Sequence, residues 1–191
     1  MPECPFCQKE KLMNYLPDST PCKRGAYQDD SCFAILAPEQ YTPGHTLLIL
    51  EEHKVDITDE IQSEKLAAFI NAIHKVSGRL KEVAENHQGK RPDRIYVGIL
   101  CDGVQHLHAH LIPRYPFDER DIGVYRKLFS KRDGPEAVIK AQRKGDMGGF
   151  WYLADREANW KRSEFGLRPM PEQVKILEEL ARKLCTYNGH L

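Results

Sequence analysis

The chain has 191 residues, with 28 Lys and Arg against 28 Asp and Glu, so it carries no net formal charge at neutral pH. A balanced chain lacks the basic footprint that nucleic-acid binding requires, and with 41% hydrophobic and 29% charged residues it falls outside the disordered and membrane classes. Its longest aliphatic run, Leu47 to Leu50, is far short of the roughly 20 residues of a membrane span.

A chain of this length buries one core with an appendage. The start, Met1-Pro2-Glu3-Cys4, is acidic and has no apolar signal region, so a cytoplasmic protein is expected. In a reducing cytoplasm the six cysteines read as thiols and not as a disulfide framework. Cys4-Pro5-Phe6-Cys7 has the spacing of half a tetrahedral zinc site, while Cys22, Cys32, Cys101 and Cys185 are scattered. A redox Cys-x-x-Cys needs a strand before it and a helix after it, and no such strand fits here. Plain buried thiols remain the alternative to zinc.

In chain order, residues 32–37 are an apolar run of strand length ending at Pro38, and residues 45–50 are a second, with Gln40-Tyr-Thr-Pro-Gly44 turning between them. From Thr58 the period changes. Ile61, Leu66, Phe69, Ile70, Ile73, Val76, Leu80, Val83 and Ala84 recur every three or four residues, the pattern of a long amphipathic helix. Thr58 or Asp59 is the expected cap, and Gly89-Lys-Arg-Pro92 the stop. Residues 94–101 and 106–112 then read as antiparallel strands joined by the short turn Asp102 to Gln105, with Pro113 and Pro116 ending the second. The core domain is expected to close near residue 116, leaving 117–191 as a C-terminal extension.

Within that extension, residues 114–144 hold nine basic and five acidic residues. A solvated surface is the plain reading; a mobile cover hinged at Gly148-Gly149, bringing positive charge to a phosphate, is the functional one. Phe150-Trp151-Tyr152 and Trp160 read as satellite core. Residues 171–185 form a closing helix with Val174, Leu177, Leu180, Ala181 and Leu184 on one stripe.

The chemistry concentrates in His106-Leu-His-Ala-His-Leu-Ile112. On a strand, alternate side chains share a face, so His106, His108 and His110 line one side at roughly 7 Å intervals while Leu107, Ala109 and Leu111 face the core. The histidine face is expected at the surface. Three imidazoles so close cannot all be protonated cheaply, which keeps at least one neutral near pH 7. A neutral imidazole whose other nitrogen is oriented is a competent nucleophile or base. The same cluster also reads as ligands of a catalytic metal.

The run His106-Leu-His-Ala-His-Leu-Ile-Pro-Arg114 resembles the signature of the histidine triad (HIT) superfamily, in which apolar residues separate three histidines. Pro43-Gly-His-Thr-Leu-Leu-Ile-Leu-Glu-Glu-His53 is similar to the family's Gly-His-x-Leu strand, and Cys4-Pro-Phe-Cys7 to the Cys-x-x-Cys of its zinc-bearing members. The resemblance covers residues 1 to about 116. It implies an α+β fold with an antiparallel sheet of about five strands and one long helix, here followed by a C-terminal helical extension. It also implies a homodimer that cleaves or transfers nucleoside monophosphates, as hydrolase or nucleotidyltransferase, with a nucleotide as its small-molecule partner. His108 would attack the α-phosphorus and form a covalent nucleotidyl-histidine, its ring oriented by a neighbouring carbonyl. His110 would bind the phosphate and manage the leaving-group proton, with Asp102 and Gln105 as further substrate contacts. By similarity to zinc-bearing relatives, Cys4, Cys7, His53 and His106 would hold a structural zinc; closure through Cys22 or Cys32 is the rival set.

Three places depart from the family pattern. Many members carry an acid near the end of the first strand, where Ala37 stands here; Val104-Gln105 replaces a longer Gly-Gln-Ser/Thr loop; and Leu50-Glu51 replaces Pro-Lys. A non-catalytic nucleotide-binding module and a metallohydrolase using all three triad histidines therefore stay beside the covalent reading.

Overall fold

Uninterrupted apolar runs make strands that are buried on both faces, and two such runs form the middle of the sheet. The computed structural model describes residues 4–38, 40, 42–85, 89–99, 101, 103–115 and 168–187. After a short 3-10 turn at Pro5–Cys7, the elements are α1 (Lys9–Asn14), β1 (Gly25–Gln28), β2 (Cys32–Leu36), β3 (Thr46–Leu50), α2 (Ser63–Val83), β4 (Arg94–Gly98), β5 (His108–Arg114) and α3 (Met170–Thr186). The five strands form one antiparallel sheet in the order β1-β2-β3-β5-β4. The α+β architecture expected from the sequence is therefore present, with the long helix and a closing C-terminal helix.

The two faces of the sheet have different partners. Ala34, Leu36, Leu48, Leu50, Leu107, Ala109 and Leu111 face the helices and pack with Phe69, Ala72, Val76 and Leu80 of α2 and Leu177, Ala181 and Leu184 of α3. Each fully buried Leu, Val or Phe contributes about 1.5–3 kcal/mol, so this face holds most of the core. The predicted stripe on α3 is thus the one that returns to it. Lys23 N–H donates to Glu178 Oε1 at 3.0 Å, adding a polar tie. On the other face, Phe33, Ile35, Ala37, Leu47 and Ile49 form a smaller cluster under Phe6, with Leu12, Met13 and Val104 at its margin.

Several boundaries differ from the sequence expectation. Helix α2 begins at Ser63 and not near Thr58, because Thr58 and Asp59 are engaged in a turn. Asp56 Oδ1 accepts from Thr58 N–H and Oγ1–H, both at 2.6 Å, and Asp59 Oδ2 accepts from Val55 N–H at 2.5 Å. It ends at Val83, ahead of Gly89. The strands expected at 94–101 and 106–112 are Arg94–Gly98 and His108–Arg114, so His106 precedes β5. β5 runs through Pro113 and does not stop there. Beyond Leu111 it pairs with β4 alone, where a residue lacking a donor is tolerated. β1 and α1 had no counterpart in the sequence reading. Residues 116–144 of the basic segment, the Gly148-Gly149 hinge, Phe150-Trp151-Tyr152, Trp160 and Asp102 lie outside the described residues. No helix among the described residues is long and apolar enough to cross a membrane.

Candidate functional site

Strand register sets the site. Ile49 pairs with His108 and Leu47 with His110, while Leu48 and Leu111 take the helix face. His106, just ahead of the strand, is fully buried, and His108 is 4% exposed. The surface position expected for the middle histidine is therefore corrected. Phe6 lies over that face, edge-on to His108 with ring centroids 4.9 Å apart and planes at 86°. The N-terminal turn makes a wall that the strand pattern alone does not reveal.

Backbone carbonyls assign the tautomers of two rings. A carbonyl only accepts, so the ring nitrogen facing it must carry the proton. His108 Nδ1–H donates to the His106 carbonyl at 2.6 Å, so Nε2 is the nitrogen that carries the lone pair whenever the ring is neutral. His106 Nε2–H donates to the Leu50 carbonyl at 2.7 Å, leaving Nδ1 as its basic atom. Burial, with the nearby His53 and His108 rings, holds the His106 pKa below the usual imidazole value against the opposing effect of the Leu50 carbonyl. Two histidines two positions apart thus present opposite nitrogens.

His106 Nδ1 faces the N-terminal turn. It lies 3.4 Å from Cys4 Sγ, 3.7 Å from Cys7 Sγ and 3.2 Å from His53 Nδ1, and Cys7 Sγ is 3.4 Å from His53 Nδ1. All four atoms lie within 4.8 Å of one another. A tetrahedral Zn²⁺ with N and S ligands requires N-to-N and N-to-S separations of about 3.3 and 3.6 Å, so donor types and spacing both fit. Cys22 and Cys32 do not join this set. Both face the helices, and burial raises their thiol pKa values to about 11 and about 12. Among the described residues, no ion site gathers His106, His108 and His110, since the cluster takes His106 alone of the three. Among the described residues the gathered donors are thus Cys4, Cys7, His53 and His106, the set expected from the family likeness.

His110 is partly exposed. Its Nδ1 lies 3.1 Å from His45 Nε2, with the two rings stacked at 5.4 Å and 22°. His108 and His110 have ring centroids 5.0 Å apart. On the β4 side the residue opposite His110 is Gly98, which adds no side chain. Gln105 is exposed on the loop leading to His106. The structure thus brings together His108 and His110, and separately Cys4, Cys7, His53 and His106.

His45 and Gln40 had not been singled out as site residues. His45 is 2% exposed and ends a loop clamped by Gln40, whose Nε2 donates to the carbonyls of Ala37 (2.8 Å) and His45 (2.7 Å) and whose Oε1 accepts from Gly44 N–H at 2.7 Å. The signal for His45 was its position after Gly44 at the head of an apolar run. Nothing local in the sequence marks Gln40.

Comparison with known proteins agrees with this geometry. Residues 23–117 match the HIT domain family. An uncharacterised HIT-like protein of Methanocaldococcus jannaschii is 29% identical over 121 residues, covering 60% of this chain and 81% of the relative. Protein hit of Bacillus subtilis is 28% identical over 96 residues, covering 47% of this chain and 60% of its own length. A zinc-bound histidine triad family protein of Mycobacterium smegmatis superposes with a TM-score of 0.51 at 19% identity, over 95% of this chain and 93% of that one. At such identity the likeness is one of fold. With a HIT domain at residues 23–117 and a Cys4/Cys7/His53/His106 cluster, this chain belongs to the histidine triad family and fits its zinc-bearing branch.

Proposed function

We propose that the protein cleaves a nucleoside 5'-phosphate derivative, such as a dinucleoside polyphosphate, at the α-phosphate, through a covalent nucleotidyl-histidine on His108. Family membership supports a HIT-type, nucleotide-binding function in general. The observation that carries the finer reading is the 2.6 Å bond from His108 Nδ1–H to the His106 carbonyl. With that nitrogen protonated, the Nε2 lone pair is the one that attacks phosphorus. A P–N bond forms as the bond from phosphorus to the leaving-group oxygen breaks, and water or an acceptor hydroxyl then displaces the histidine. Splitting the displacement into two steps is the advantage of covalent catalysis. His110, stacked on His45, is placed by this reading to hydrogen-bond the phosphate and pass a proton to the leaving oxygen. Burial beside Phe6 supports it further, because a dry site strengthens such interactions.

In the same proposal Cys4, Cys7, His53 and His106 hold one structural zinc. Two thiolates and two imidazoles fill a tetrahedron without an open position, so the ion supplies cross-linking and no chemistry at phosphorus. Residues 1–116 carry the reaction in this reading, and 117–191 form an extension whose last helix packs on the core. Gln105 and Asp102 are proposed substrate contacts, a reducing cytoplasm the compartment, and a homodimer the assembly.

The test is mass spectrometry after rapid mixing with a dinucleoside polyphosphate and denaturation at neutral pH. An acid-labile nucleotidyl adduct mapped to His108 is expected. Nucleotide binding with no adduct assigns the chain instead to non-catalytic binding modules, a role to which Ala37 and the trimmed Val104-Gln105 loop would be suited.

A further inference from the structure

We propose that Phe6 is a positioning residue for His108, fixing the plane of the imidazole from within the Cys4-to-Cys7 turn; this rests on His108 being the nucleophile. Phe6 touches both centres of the site. Its ring is edge-on to His108 at 4.9 Å and 86°, and to His106 at 6.0 Å and 68°. It is 9% exposed and packs on Phe33, Ile35 and Ile49.

The Nδ1–H bond to the His106 carbonyl holds the imidazole at one nitrogen. The Phe6 ring, 4.9 Å away with its plane at 86° to the imidazole, limits rotation of that ring about its Cβ–Cγ bond from a second direction. The backbone under Phe6 is itself constrained. The turn is closed by Cys7 N–H to the Cys4 carbonyl at 3.1 Å and Gln8 N–H to the Pro5 carbonyl at 3.2 Å, and Pro5 fixes its own φ at the first position of the turn. The residues on either side of the Pro5-Phe6 pair are the two thiols of the metal cluster. Whatever holds those thiols therefore holds the wall against His108, which links the structural cluster to the reacting nitrogen.

The experiment compares metal-loaded wild type with Phe6→Leu and Phe6→Ala, after metal content and circular dichroism show that each variant is loaded and folded. Single-turnover adduct formation is measured against dinucleoside polyphosphate concentration, giving a rate constant at saturation and a Kd. Long-range ¹H–¹⁵N correlation spectra report the tautomer and ring environment of His108. A loss of alignment is expected to slow the saturating rate roughly 10- to 100-fold in Phe6→Ala while Kd stays within about twofold. The His108 signals should move away from a pure Nδ1–H tautomer. Phe6→Leu, which keeps apolar volume but lacks the ring edge, should lie between and covers the case in which the alanine variant does not fold. An unchanged saturating rate, or a loss confined to Kd that would make Phe6 a substrate contact, overturns the proposal. If wild type forms no adduct, the nucleophile reading fails, and an unchanged or changed His108 spectrum still decides whether Phe6 orients the ring.

Discussion

Gly44→Ala probes the seam on which the site is built. Gly44 has φ of +90°, a conformation L side chains rarely adopt, and a Cβ added there would meet Ala84 Cβ and Pro113 Cγ at 3.1 Å and Leu80 Cδ2 at 3.3 Å. Those neighbours come from the end of α2 and from β5, so the clash is with packed elements and cannot relax by one side chain turning away. Left-handed backbone costs a non-glycine residue about 1–2 kcal/mol and overpacking about 1–3 kcal/mol, giving a destabilisation of about 2–5 kcal/mol. That is a large part of the usual 5–15 kcal/mol of folding stability. In urea unfolding, with a slope near 2 kcal/mol/M, the midpoint should fall by about 1–2.5 M with the slope unchanged. The next residue is His45, so the shift should also disturb its stack on His110 and lower turnover in the fraction still folded. A midpoint within about 0.3 M of wild type would show that the glycine is replaceable and that this seam is not as tight as described.

Three further outcomes are expected. His108→Ala should remove the adduct and also destabilise the fold by about 1–3 kcal/mol, since the ring is buried against Phe6; an unaltered adduct would end its assignment as nucleophile. Cys7→Ser should abolish stoichiometric zinc, and with free metal at about 1,000 times Kd the lost linkage of about 4 kcal/mol lowers Tm by roughly 8–16 °C; equal zinc content and Tm would argue against the cluster. Acid should also destabilise the protein through His106. Its folded pKa lies below the unfolded imidazole value of about 6.5, so its contribution is present above that pH and is lost as pH falls through the depressed folded value. Proton competition for a metal acts in the same direction. A Tm that is flat from pH 7.5 to 5 would contradict this, and a His106→Gln variant should have a shallower profile.

What the sequence showed depended on how strongly each element repeats. The alternation over residues 106–111 and the apolar runs at 32–37 and 45–50 located β5, β2 and β3, because strand periodicity is local. The stripe on α3 was visible for the same reason. β1 was not: its four residues include one buried side chain, Ala26, and a bulge between Gly25 and Tyr27. The start of α2 was misplaced because Asp56, Thr58 and Asp59 satisfy turn and cap chemistry equally well in sequence. The metal cluster was implied by a family likeness, since Cys7 and His106 are 99 residues apart and no local pattern joins them. The burial of His108 was missed because its cover comes from the N-terminal turn, a tertiary contact that strand alternation does not encode. Cys22 and Cys32 became distinguishable from Cys4 and Cys7 only when the sheet assigned them to its opposite face.

The repeating ring pattern of β5 has an ambiguity that the fold must resolve. A slide of two residues along β3 would preserve the inward and outward alternation and set His106 or His110 opposite Ile49, so hydrophobic burial alone cannot choose the alignment. The choice is made at the head of the strand. Leu107 N–H donates to the Lys54 carbonyl at 2.6 Å, Leu50 N–H donates to the Leu107 carbonyl at 3.1 Å, and His106 reaches the Leu50 carbonyl. An ion joining His106 to the N-terminal thiols would add a fourth anchor at the same place. Its loss would then leave the pairing of Ile49 with His108 to the three hydrogen bonds alone.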